Sequence, residues 1–295
     1  MEVLPMKTPL FTGACTAMVT PFVNGKVSFS MLEKLLQRQM DAGIGTVVLC
    51  GTTGESPTLS DEEKLSIFRC AKEYCGTGCT ILAGTGSNST RHAIELSRAA
   101  ETAGVDGLLV VSPYYNKATP DGLYSHYRAI AASVHIPVIL YNVPGRTGVD
   151  IPVSVYERLS KIPNIAGVKE ASTDITKIGR ILSACEESFA VWSGNDDMTV
   201  PVISLGGSGV ISVSSNVLPE KMQAMSQAAL AGNFRCAAQL QLELIPLTDL
   251  LFCEVNPIPV KAAMRLLGYD CGNCRMPLTP LLPEHEEKLK EILLS

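Results

Sequence analysis

Short apolar runs recur along the chain, separated by amphipathic stretches. Residues 17–20 (AMVT), 46–50 (TVVLC), 80–84 (TILAG), 107–111 (GLLVV), 137–141 (PVILY), 165–169 (IAGVK), 189–193 (FAVWS) and 209–213 (GVISV) are each brief and mostly β-branched or Leu-rich. Such runs, apolar without alternation, predict strands buried on both faces, as in a parallel sheet. Residues 29–42, 61–74, 90–103 and 123–134 between them carry the three-to-four-residue apolar spacing of helices that face a core. Ser60 stands before Asp61-Glu62-Glu63, and Ser89 or Thr90 before the next helix, as N-caps do. Gly43, Gly76 and Gly104 follow helix ends. Over the first six units the strands start about 30 residues apart. Eight strands in strict alternation with helices predict an α/β fold, a (β/α)8 TIM barrel rather than an open sheet. After Gly232 the strands stop. Residues 234–252, 258–267 and 284–294 read as helices, the second started by the break at 256–259 (NPIP). The expected division is therefore a catalytic barrel over 1–233 and a helical extension over 234–295.

Composition narrows the chemistry. Of 295 residues, 46% are hydrophobic, enough for a sizeable core, and the net charge is −5 with no dense basic run. That balance points away from nucleic acid and anionic membranes, while one well-placed Arg or Lys still suffices for a small anion. No apolar run approaches the roughly 18 residues of a membrane-spanning helix. The opening MEVLPMKTPLFTG lacks the basic start and apolar core of a signal peptide. Ten cysteines follow no disulfide rhythm, and Cys50, Cys70, Cys185 and Cys236 read as buried, reduced thiols of a cytosolic protein. Cys271 with Cys274, and Cys75 with Cys79, lack a second pair or a His partner; they are expected to be solvent-side loop thiols and not metal ligands. The four His show no ligand spacing, and His126 and His135 read as surface helix residues. Gly84-Thr85-Gly86 lacks the Lys-Ser/Thr end of a phosphate loop, so nucleotide binding is not expected.

A barrel of this kind places its active site at the C-terminal ends of the strands. There the second strand delivers Gly51-Thr52-Thr53-Gly54-Glu55 and the fourth Pro113-Tyr114-Tyr115-Asn116. The fifth delivers Tyr141 and, soon after, Arg146; the sixth Lys169-Glu170; the seventh Ser193-Gly194-Asn195-Asp196; the eighth Ile211-Ser212. Each alone has an ordinary reading. Lys169 could be a solvated strand end, Tyr141 a half-buried phenol, Thr52-Thr53 a turn and Arg146 a loop cation. Their convergence on one rim is what suggests chemistry. Burial in a dry barrel mouth disfavours an ammonium, and a neutral amine attacks a carbonyl to form a Schiff base. A phenol beside it can relay protons, and the hydroxyls and N–H groups of a Gly-Thr-Thr-Gly turn suit a carboxylate. These residues point to a lysine-dependent aldolase or lyase acting on a small 2-oxo acid.

The segments 51–56 (GTTGES), 112–116 (SPYYN), 139–148 (ILYNVPGRTG), 167–172 (GVKEAS), 193–196 (SGND), 209–213 (GVISV) and 256–261 (NPIPVK) resemble, in order and spacing, those of the dihydrodipicolinate synthase family. That family belongs with the pyruvate-dependent class I aldolases that include N-acetylneuraminate lyase. The resemblance runs from about residue 10 to the C-terminal helices. It implies condensation of pyruvate with L-aspartate 4-semialdehyde to 4-hydroxy-tetrahydrodipicolinate, the first committed step towards diaminopimelate and lysine. It also implies a role for each site residue. Lys169 forms the Schiff base. Tyr141 relays protons and is hydrogen-bonded to Thr53, which passes them to Tyr115 of a neighbouring subunit. Thr52 and the Thr53 N–H hold the pyruvate carboxylate, Gly194 and the Ile211 carbonyl line the site, and Arg146 binds the carboxylate of the semialdehyde. A homotetramer built from two dimers is implied, and no metal or organic cofactor. Related aldolases for sugar acids share the Lys and Tyr, but Arg146 and Tyr115 favour a short acidic aldehyde. A non-enzymatic relative would be expected to lack Lys169 or Tyr141, and neither is lost. The resemblance extends to an effector site for lysine at Ser56, Asn88 and Tyr114. There this chain has Lys64 in place of a His and His92 in place of an acidic residue, which implies weak or absent inhibition by lysine.

Overall fold

The computed structural model describes residues 9–294. Residues 1–8, most of the segment read above for a leader, lie outside the described residues, as does Ser295. Eight parallel strands close into a barrel in the order β1 (Gly13–Ala17), β4 (Thr46–Leu49), β5 (Thr80–Gly84), β6 (Gly107–Val111), β7 (Val138–Asn142), β8 (Ile165–Glu170), β9 (Ala190–Ser193) and β10 (Gly209–Ser212), which pairs back to β1. The remaining two strands, β2 (Phe22–Val23) and β3 (Lys26–Val27), form a small antiparallel hairpin.

The double-sided apolar character of the strands has a direct cause. Alternate residues such as Val47, Ile81, Val110, Leu140 and Val168 face outward into the cluster shared with the helices. The residues between them, Cys15, Val48, Leu82, Leu109, Ile139, Trp192 and Ile211, fill the barrel. Phe11 stacks on Trp192 with ring centroids 4.7 Å apart, and its carbonyl accepts from the indole N–H at 3.2 Å. Ile139 and Tyr141 belong to the inward set, and in β8 Lys169 is registered against Tyr141. Inward-pointing side chains two residues apart along a strand lie on one face, so Lys169 stands above Gly167 at the top of the packed interior.

Between and after the strands come α1 (Phe29–Asp41), α2 (Asp61–Cys75), α3 (Thr90–Thr102), α4 (Pro120–Ala131), α5 (Pro144–Thr147), α6 (Val153–Leu159), α7 (Ile175–Ala184), α8 (Thr199–Ser204) and α9 (Pro219–Leu230), of which α5 lies at the barrel mouth. Ser60 and Glu63 form a reciprocal capping box on α2, and Ser89 caps α3. After the barrel come α10 (Phe234–Leu251), α11 (Ile258–Leu266) and α12 (Pro283–Leu294). Among the described residues no helix is long and apolar enough to cross a membrane.

Several expectations need correction. The first strand is 13–17 and not 17–20: Gly13, Ala14 and Cys15 have little intrinsic strand preference, and the ladder to Gly209–Ser212 imposes the conformation. Helix α4 starts at Pro120, capped by Thr119, three residues earlier than the apolar spacing suggests. His126 is buried, not on the surface. It lies on the inner face of α4 against Tyr127, its Nδ1 pairs with Thr90 Oγ1 at 2.9 Å, and burial pushes its pKa down to about 4. His135 is at the surface but beyond the end of α4. Cys236 is exposed on α10, and Cys253 is exposed as well. Cys271 is fully buried, because its loop passes under the β2–β3 hairpin and its carbonyl accepts from Phe22 N–H at 3.0 Å. Burial pushes the Cys271 thiol up to about 11 and that of Cys274 to about 12.

Candidate active site

Lys169 is 5% exposed, and its Nζ lies 4.5 Å from the centre of the Tyr141 ring on the adjacent strand. Both line a cavity at the C-terminal mouth of the barrel together with Thr52, Thr53, Arg146 and Gly194. The structure thus brings six of the expected residues to one place. Ile211 lies below, fully buried in the barrel. Tyr115 stands apart, 92% exposed with a left-handed φ of 70°, on the loop after β6. Gly194 is required by crowding: a Cβ there would sit 2.6 Å from Ala171 Cβ. Its N–H donates to the Glu170 carbonyl at 2.7 Å, which fixes the end of β9 against that of β8.

The groups that hold these residues are mostly ones the local pattern did not reveal. Glu55, 2% exposed, ends the Gly-Thr-Thr-Gly loop in a left-handed conformation, with φ 58°. Its carboxylate accepts from Lys261 Nζ at 2.9 Å and from Arg275 N–H at 2.8 Å, so residues of the C-terminal region anchor the loop. Lys261 also donates to the Thr20 carbonyl at 3.0 Å. Glu170, fully buried next to Lys169, accepts from Asn142 Nδ2 at 2.8 Å, Tyr156 Oη at 3.0 Å and Ser172 N–H at 2.9 Å, with Lys177 Nζ 3.5 Å away. A buried carboxylate with this many donors is held in one place, and β8 ends rigidly as a result. The Thr53 hydroxyl departs from expectation. Its partner is Asn256, whose Nδ2 donates to it at 3.0 Å, and among the described residues no hydrogen bond joins it to Tyr141.

A second cavity shares Thr52, Tyr141 and Arg146 with the first and extends to Ser56, Lys64, His92 and Tyr114. Lys64 is 7% exposed and turns inward, its Nζ 3.5 Å from Asp61. His92 pairs with Asp61 Oδ2 at 2.8 Å and with Ser87 Oγ at 3.2 Å. Burial opposes ionisation of Asp61, but the hydrogen bond to His92 and the charges of His92 and Lys64 outweigh it and hold the carboxyl below its usual range. Asn88 does not line this cavity; its carbonyl accepts from Asn116 Nδ2 at 3.0 Å.

Residues 10–295 match the dihydrodipicolinate synthetase family. The chain belongs to that family. It is 46% identical over 288 residues to the 4-hydroxy-tetrahydrodipicolinate synthase of Acetivibrio thermocellus, covering 98% of each. Two solved relatives are similar throughout. One is the chloride-inhibited dihydrodipicolinate synthase of Acinetobacter baumannii complexed with pyruvate, with TM-score 0.94, 42% identity, and coverage of 96% of this chain and 98% of that one. The other is the enzyme of Cyanidioschyzon merolae with lysine bound, with TM-score 0.94, 39% identity, and coverage of 97% and 98%. Family membership accounts for the order and spacing of the site motifs along one barrel.

Proposed function

We propose that this protein condenses pyruvate with L-aspartate 4-semialdehyde to give 4-hydroxy-tetrahydrodipicolinate, a lyase-class step of diaminopimelate and lysine biosynthesis. The observation that carries the reading is the buried Lys169 amine beside the Tyr141 ring, in a cavity shared with Thr52, Thr53 and Arg146. The Lys169 amine attacks C2 of pyruvate, and the carbinolamine loses water to an iminium. Tyr141 supplies and removes the protons, with Tyr115 continuing the relay. Thr52 and the Thr53 N–H hold the carboxylate, and the Ile211 carbonyl and Gly194 bound the pocket. Loss of a C3 proton gives the enamine, whose C3 attacks the aldehyde carbon. The amine of the semialdehyde then displaces Lys169 from C2, closing the ring and freeing the enzyme. Arg146 pairs with the carboxylate of the semialdehyde. Borohydride added with pyruvate is expected to leave one stable adduct, on the peptide containing Lys169. An adduct on another lysine, or none, removes the basis of the mechanism. Turnover with aspartate semialdehyde but not with N-acetylmannosamine separates this activity from that of a sugar-acid aldolase.

The reading extends to assembly and regulation. The exposed Tyr115 supports a dimer in which it enters the partner's site, and two such dimers would make a homotetramer. A cytoplasmic location fits ten free thiols, Cys15 and Cys50 among them in the core. The cavity beside α2 and α3 is assigned to an effector, with Ser56 and Tyr114 as the matching residues that line it, Asn88 outside that lining, and Lys64 and His92 as the departures from the lysine-sensitive pattern.

A further inference from the structure

We propose that Asn142 is a positioning residue for Arg146, and through it a determinant of how the second substrate is selected. The proposal rests on the reading of Arg146 as the group that pairs with the semialdehyde carboxylate. The register of β7 on β8 sets two pairs side by side, Tyr141 with Lys169 and Asn142 with Glu170. Successive strand residues face opposite ways. Tyr141 points into the barrel, so the Asn142 side chain lies on the outer side, fully buried against Glu170. There its amide closes the segment that carries Arg146. Oδ1 accepts from Ile151 N–H at 3.1 Å, and Nδ2 donates to Asp150 Oδ1 and to Glu170 Oε1, each at 2.8 Å. The chain leaves β7 at Asn142, passes through α5, and returns to the same side chain nine residues later.

Two observations give the amide more than a packing role. Its two N–H donors are divided between the returning end of the segment and Glu170, the chain neighbour of Lys169. The segment that bears the mouth cation is thereby hung from the strand that bears the nucleophile. The connection is also held from behind. Lys177 Nζ pairs with Asp150 and lies 3.5 Å from Glu170, and Tyr156 Oη donates to Glu170 at 3.0 Å. Within the segment the buried Thr147 hydroxyl donates to the Val149 carbonyl at 2.9 Å, which stiffens the turn between α5 and Asp150. Arg146 itself is exposed, with one hydrogen bond at 3.3 Å to the Asn256 carbonyl, so its place depends on the backbone beneath it. A reacting group displaced by about 1 Å can lose on the order of a hundredfold in rate.

The test uses Asn142→Ala, Asp150→Ala and Asp150→Asn in the full chain, each alone and with Arg146→Ala. Two quantities are read: kcat/KM for aspartate semialdehyde at saturating pyruvate, and the rate at which borohydride traps pyruvate on Lys169. Asn142→Ala is expected to lower kcat/KM for the aldehyde about tenfold, mainly through KM, as for a group shifted by less than its full reach. Trapping on Lys169 should keep its usual rate. Asp150→Ala, which cuts one of the three bonds, should lose less, and Asp150→Asn, which keeps an acceptor for the Asn142 amide, should stay near the unmodified protein. In the Arg146→Ala background none of these changes should cost more, because the cation they position is gone. If Arg146→Ala itself leaves kcat/KM unchanged, the reading of Arg146 falls and the proposal with it. If Arg146→Ala is impaired but Asn142→Ala lowers trapping and turnover alike, or its loss multiplies independently with that of Arg146→Ala, the proposal alone is overturned. Should Asn142→Ala fail to fold, Asp150→Ala decides, since the Asp150 side chain is 55% exposed and its removal leaves the core intact. No loss there, or a loss that persists in the Arg146→Ala background, overturns the proposal.

Discussion

Arg146 sits exposed on the four-residue helix α5, and its one hydrogen bond in the described residues reaches the Asn256 carbonyl. Its other donors are free to meet a substrate carboxylate. A charged hydrogen bond contributes about 1.5–3 kcal/mol. Arg146→Ala should therefore lower kcat/KM for aspartate semialdehyde about tenfold to a hundredfold, while borohydride trapping of pyruvate on Lys169 stays at its usual extent. Steady-state kinetics with the aldehyde varied would read this, and an unchanged specificity constant would sink the assignment of Arg146 to the second substrate. Lys169, Tyr141, Thr52 and Arg146 were legible because each stands at or just beyond a strand end, and barrel topology converts that position into a place in space. Asn256 and Lys261 were not legible in this way. Their partners Thr53 and Glu55 lie 203 and 206 residues away, and no local pattern couples them. His126 failed for a related reason: its helix has an inner face, and only the neighbouring α3 determines that an imidazole is tolerated there, by supplying Thr90.

At the scale of elements, α2 and α3 set the character of the second cavity. Lys64 on α2 and His92 on α3, which line the cavity, both converge on Asp61, so that carboxylate is already engaged. A lysine effector would bring an ammonium towards Lys64, and like charges about 4 Å apart repel by up to roughly 4 kcal/mol at a dielectric of 20. Titrating lysine into the coupled assay is expected to give little or no inhibition at submillimolar concentration. Half-inhibition in that range would mean that Lys64 withdraws or is neutralised by a group outside this chain. Strand positions were read well where β-branched and Leu residues crowd together, as in β5 and β6, whose limits agree with the sequence reading. They were misread at β1, where pairing and not composition makes the strand. The β2–β3 hairpin carried a usable signal that went unread, since Asn24-Gly25 between Phe22-Val23 and Lys26-Val27 is a strong two-residue turn.

At the scale of the whole molecule, the number of chains that make one site is testable. Tyr115 is exposed in the single chain, yet the relay reading gives it work at the barrel mouth. Mixing Tyr115→Phe subunits with Lys169→Ala subunits should produce hybrids with activity above the sum of the parents, because one hybrid site combines an intact lysine with an intact tyrosine. Verified hybrids without such recovery would place Tyr115 in its own chain's site. The Glu55–Lys261 pair bears on the order in which the molecule becomes competent. The loop that would hold pyruvate is among the early parts of the chain to be synthesised, but the ammonium that anchors it emerges 206 residues later. A nascent chain on the ribosome therefore carries every strand of the barrel, Lys169 included, before the pocket has its support. The substrate loop therefore settles only once Lys261 has joined it, and a chain cut short before Lys261 would be a barrel without a settled substrate loop.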